Sequence, residues 1–142
     1  MQRHFVFHSS SLLTGSIVAA HLLAMAAFAF VPVPLMAQLS LCAVLFGSMG
    51  YYVLRDAQLK LSSSWLELRL EGEHVVLRNR GGKELTGVLS HSTFVSPYLA
   101  VVNVYIPEAR RGYSVVLMSD SLDAGSFRQL RVLLKWDMQA SV

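Results

Sequence analysis

The sequence predicts a membrane α + β protein: a two-helix transmembrane hairpin, then a small antiparallel β domain closed by a C-terminal amphipathic helix. Three observations carry this. Fifty-four per cent of the 142 residues are hydrophobic, and the excess is unevenly spread. From Leu12 to Leu54 there is no Asp, Glu, Lys or Arg, whereas all nine acids and eleven of the twelve bases lie from Arg55 onward. Past Lys60 the apolar residues alternate with polar ones instead of running on. A charge-free stretch followed by a charged, alternating one is the mark of a bilayer segment leading into a water-facing sheet.

The first apolar run, residues 12–31, has about the 20 residues that a helix needs to cross the hydrocarbon core. Pro32-Val33-Pro34 should end it, because proline lacks the N–H donor and disfavours helix in the residue before it. The second run, residues 35–54, is equally long, and so short a link permits only an antiparallel hairpin. The polar stretch His8-Ser9-Ser10-Ser11 and the second span argue against a cleaved signal peptide. Arg3 before the first span, with Arg55 and Lys60 after the second, places both termini in the cytoplasm by the positive-inside rule. Tyr51 and Tyr52 fall where an interfacial aromatic belt belongs.

Residues 1–60 are thus read as the hairpin and 61–142 as a cytoplasmic β-rich domain. Strict alternation over Leu66–Glu71 predicts a strand with one buried face. His74–Asn79 and Glu84–Ser90 flank the turn Arg80-Gly81-Gly82-Lys83, which reads as a β-hairpin. Thr93–Ser96 is a short strand ended by Pro97, and Tyr98–Ile106 is apolar enough to be central. Tyr113–Met118 should pair back on it. A helix over about 121–138 closes the chain, with Asp120 or Ser121 as its cap and Asp123 favourably placed at the positive end of its dipole. Phe127, Leu130, Leu134 and Met138 recur at helical spacing on one face.

Few residues invite chemistry. The sequence has no glycine-rich phosphate loop, paired cysteines, His-x-x-x-His pair or Gly-x-Ser-x-Gly elbow, so no catalytic set, metal or cofactor is expected and the chain is read as a non-enzyme. The net charge of +3 is spread among acids, which points away from nucleic acid. Cys42 lies within an apolar run and reads as a packing residue. Two features remain. His21 is an ionisable residue deep in a span, either a functional group or a neutral imidazole bonded to Ser40, Ser48 or backbone across the hairpin. Arg128, Arg131 and Lys135 form a basic stripe on the terminal helix, either a solvated face or a docking face for an acidic protein or anionic lipid. Small residues at a spacing of four (Ser16, Ala20, Ala24; Ala43, Gly47) allow close helix approach, within the hairpin or at a dimer or partner interface.

The order of these features resembles a known family, the small proteobacterial inner-membrane proteins called CptA or YgfX. The resemblance rests on the first-span His followed by Pro32-Val33-Pro34-Leu35, and on the strand Glu67-Leu68-Arg69-Leu70. It rests above all on Asp120-Ser121-Leu122-Asp123 followed by Phe127-Arg128-Gln129-Leu130-Arg131-Val132-Leu133-Leu134. Phe127 stands where the family is expected to have tryptophan, and the stretch from Tyr98 to Arg111 is longer than expected. The resemblance implies the membrane-bound toxin of a toxin–antitoxin pair, acting at the inner (cytoplasmic) membrane by binding the division and shape proteins FtsZ and MreB. Its implied partner is a small soluble antitoxin, SdhE. Two other roles stay open at this level: an accessory for maturation of a membrane flavoprotein such as succinate dehydrogenase, and a membrane-anchored lipid- or ligand-sensing β module.

Overall fold

The computed structural model describes residues 4–140; Arg3, which enters the orientation argument, lies outside them. Two apolar helices come first, α1 (Ser11–Ala29) and α2 (Leu35–Tyr52). Helix α1 stops at Ala29, two residues short of the apolar run, because Pro32 bars helix from Val31 and the chain turns through Phe30 and Val31. Pro34 then leads into α2, where its missing N–H costs nothing. At the other end α2 outruns its apolar stretch. It widens into a π-helical turn, Val53–Ala57, that carries Arg55 and Asp56. The pair α1 and α2–Ala57 is long and apolar enough to cross a membrane.

The two helices meet through half-buried Ile17, His21, Ala24 and Phe28 on α1, and Gln38, Leu45 and Ser48 on α2. Of the small-residue stripe only Ala24 takes part in this contact. Ser16, Ala20, Ala43 and Gly47 are exposed, and a Cβ built on Gly47 would meet nothing within 4 Å. Larger side chains one helical step away fill the hairpin seam instead.

The seven strands form one antiparallel sheet, as alternation beyond Lys60 predicts. They are β1 (His4–Val6), β2 (Trp65–Glu71), β3 (His74–Asn79), β4 (Glu84–Leu89), β5 (Phe94–Val95), β6 (Leu99–Ile106) and β7 (Arg111–Met118). The order is β1-β2-β3-β4-β6-β7, and β5 pairs with β6 beyond the end of β4. Strand β6 is therefore central, bonded on both sides, as its apolar run requires. Between β4 and β5 the chain bulges at His91 and Ser92, and Asn103 closes the gap through the Ser92 carbonyl and the Thr93 hydroxyl. Gly82 adopts φ +85° in the β3–β4 turn. Gly87 is required for another reason: a Cβ there would lie 2.5 Å from the Tyr105 carbonyl oxygen of β6.

The N-terminal strand β1 was not expected from the sequence. Its three residues pair with β2 across more than sixty positions, burying Phe5 against Leu68. No local pattern of so short a segment could reveal that partner. The sheet's inner face (Leu68, Leu77, Val102, Val104, Leu117) packs with Phe127, Leu130 and Leu134 of the terminal helix α3 (Ala124–Ala140) into one core. Helix α3 begins three residues later than the sequence suggests, because both expected caps are engaged elsewhere. Ser121 Oγ accepts the Met118 N–H, and Asp120 turns to α1. Asp123 caps α3, its carboxylate accepting the Ser126 N–H at 3.0 Å.

Candidate functional site

Two places gather the residues that could carry function: the junction between hairpin and sheet, and the exposed face of α3.

The junction is built from two crossings of the chain. On the way up, Phe7 and His8 donate backbone N–H groups to Leu66 and Ser121, and Ser10 donates to Ala57. Ser10 is 2% exposed and caps α1, its Oγ accepting the Leu13 N–H at 3.0 Å. Its hydroxyl in turn donates to the Asp120 carboxylate in a short contact. The same carboxylate accepts the Ser11 hydroxyl at 3.2 Å and the Leu12 N–H at 3.1 Å. An anion at a helix N-terminus is favoured by the free N–H groups and the positive dipole end. Here a side chain 108 residues away supplies it. Partial burial tends to raise the Asp120 pKa, but the hydrogen bonds from Ser10, Leu12 and Ser11 outweigh it and hold the carboxyl below the usual range.

On the way back, Leu59 takes φ 54°, an uncommon left-handed conformation for a branched residue. It closes the end of α2, the Lys60 N–H reaching the Leu54 carbonyl. Arg80 from the β3–β4 turn holds it there by donating to the Leu59 carbonyl at 2.9 Å. Both crossings are thus fastened by side chains of the sheet domain, Asp120 and Arg80. The hairpin is mounted on the sheet at both crossings.

Within the hairpin, His21 is half-buried. Its Nδ1 lies 2.8 Å from the Ile17 carbonyl oxygen and its Nε2 is 3.4 Å from Ser48 Oγ. A carbonyl only accepts, so Nδ1 carries a proton and donates to Ile17, while Nε2 faces the Ser48 hydroxyl. The imidazole joins the two helices. Tyr51 and Tyr52 sit edge to face at 5.4 Å, with the Arg55 guanidinium 5.9 Å from the Tyr51 ring.

The face of α3 brings Arg128, Arg131 and Lys135 together around Val132. They are not equivalent. Arg128 and Lys135 are exposed, whereas Arg131 is half-buried with its guanidinium 5.9 Å from the Phe127 ring. Sequence reasoning missed two neighbours, Val132 (41% exposed) and Trp136 (71% exposed). Their spacing of four, one step off the core positions, is the signal that could have found them. The face is thus a basic line beside an exposed apolar pair.

The family model for the membrane-bound toxin component of a toxin–antitoxin system matches residues 1–138. The chain belongs to that family. Comparison with curated proteins and with solved structures gives no match. Membership and the two apolar helices together make this toxin-family chain a membrane-associated protein, and a toxin–antitoxin system implies an antitoxin partner. The matched region includes β1, both helices, the sheet and α3 as far as Met138, so the junction and the Arg128–Trp136 part of the α3 face lie inside it.

Proposed function

We propose that this chain is an inner-membrane toxin that acts by binding rather than catalysis. Its two apolar helices cross the membrane as a hairpin with both termini cytoplasmic, and α3 presents the contact face. The observation that carries this reading is the solvent-exposed pair Val132 and Trp136 beside the exposed bases Arg128 and Lys135. That face stands on a sheet fastened to the hairpin at two points. Exposed aromatic and arginine side chains are what binding hot spots are made of. The targets are taken to be the division and shape proteins FtsZ and MreB, and the antidote a small soluble SdhE-like antitoxin, as the sequence resemblance implies.

Induced expression tests this reading. The wild type should give filamentous or rounded cells. The combined Arg128→Glu, Arg131→Glu, Lys135→Glu variant should reach the membrane at equal level and leave cell shape unchanged. Equal shape change from both would overturn the assignment of the contact face. Reporter fusions at each end check the topology, a periplasmic signal at either terminus being the contrary result.

A further inference from the structure

Helix α3 leaves the foot of the hairpin and ends at the far side of the domain. Its approach, Ser119 to Asp123, is tied to α1 through Asp120 and to His8 through the Ser121 carbonyl. At the other end, Asp137 and Ala140 share a cavity with Gly72 and Glu73 of the β2–β3 turn. That turn is the far end of β2, whose first residue, Trp65, lines the cleft at the foot beside Arg55 and Phe7. Seven residues of strand separate the two ends, about 20 Å at ~3.3 Å per residue. Trp136 lies twelve residues along α3, about 18 Å at ~1.5 Å each. The pull of anionic headgroups fades within about 10 Å at ordinary ionic strength. The far half of the face is beyond that reach.

The charges say what fits instead. Along the exposed strip, Arg128, Val132, Lys135, Trp136 and Gln139 include no acid. Asp137 lies round the helix, on the side of the Glu73 cavity. Arg128 and Lys135 stand seven residues apart, about 10 Å or two helical turns, with Val132 between them along the helix and Trp136 just past Lys135. We propose that this face takes an acidic amphipathic helical segment of a soluble protein, with carboxylates about two turns apart and an apolar side chain between them, and not the bilayer surface. The proposal rests on the reading that the chain acts by binding, and adds the chemistry of the partner. The apolar side chain covers Val132 and the Trp136 indole, and the carboxylates meet Arg128 and Lys135.

The probe is a synthetic amphipathic helical peptide with Glu two turns apart around Leu, and its twin with Lys for Glu. The full-length protein is held in phosphatidylcholine nanodiscs. Trp136 reports directly, because the other tryptophan, Trp65, is buried and the Trp136→Phe variant supplies its background. The Glu peptide should shift Trp136 emission to the blue and shield it from acrylamide, saturably, at least tenfold more tightly than the Lys peptide. The Arg128→Glu, Lys135→Glu variant should reverse that preference. Equal or absent responses to the two peptides overturn the proposal. So does shielding of Trp136 by added phosphatidylglycerol without any peptide, which would assign the face to lipid. The induced-expression assay of cell shape separates the two layers. Loss of toxicity in the charge-reversed variant without peptide discrimination overturns the partner chemistry while the binding reading stands. Peptide discrimination with toxicity unchanged supports the partner chemistry and overturns the toxic role of the face.

Discussion

Replacing Asp120 by alanine should loosen the mount of the hairpin on the sheet. Three hydrogen bonds are lost, from the Ser10 and Ser11 hydroxyls and the Leu12 N–H. Loss of a side-chain cap costs about 1 kcal/mol. A buried hydroxyl deprived of its acceptor costs about 1–3 kcal/mol, and Ser10 is 2% exposed. Water reaches the half-exposed carboxylate and offsets part of this, so a total of about 1–2 kcal/mol is expected. Asp120→Asn keeps an acceptor oxygen and should cost about half. The pH dependence has a definite sign. The folded carboxyl titrates below its unfolded value of about 3.9, so its contribution is full above that pH and is lost as pH falls through the lower, folded pKa. The gap between wild type and Asp120→Asn should therefore be constant near neutrality and shrink below about pH 4. Thermal unfolding followed by near-ultraviolet circular dichroism measures the gap, and hydrogen exchange at Leu12 and Leu13 locates it. Wild-type melting of Asp120→Ala, with unchanged exchange at those amides, would refute the clamp. A double-mutant cycle with Ser10→Ala should show coupling of the two residues of at least about 0.5 kcal/mol.

Three further outcomes follow from the packing. Gly87→Ala drives a Cβ to 2.5 Å from the Tyr105 carbonyl, so β4 must move off β6; a loss of about 1–3 kcal/mol in denaturant unfolding is expected. Leu134→Ala empties a fully buried position between α3 and the sheet and should cost about 2–5 kcal/mol by the same measurement, with the hairpin's helical signal unchanged. His21→Leu removes the link to Ser48 but keeps an apolar side chain in the seam. It should leave membrane insertion and cell-shape activity within about threefold of wild type, the net worth of such intramembrane bonds being about 0.6 kcal/mol. Loss of activity at normal membrane level would make the imidazole functional.

The sequence by itself determined the layers of this protein. Hydropathy alone marks both helices, because a bilayer selects for composition over twenty residues whatever the tertiary partners. Two-residue alternation marks β2, the turn at Arg80–Lys83 marks β3 and β4 as a hairpin, and the apolar run from Tyr98 marks β6 as central. The core face of α3, Phe127, Leu130 and Leu134, is equally legible from helical spacing. What the tertiary structure decided are the contacts between distant segments. Strand β1 exists because β2 offers it an edge, and Asp120 caps the helix that begins at Ser11 instead of the one that follows it. The small-residue stripe could be read as the hairpin seam or as an interface with another chain; the rotation of α1 against α2 puts His21, Ala24 and Phe28 in the seam and leaves Ser16, Ala20, Ala43 and Gly47 exposed. On α3 the basic stripe could be read from spacing, but its burial could not. Arg131 folds onto Phe127 while Trp136 stays in solvent, because only the packed sheet fixes which side of the helix remains uncovered.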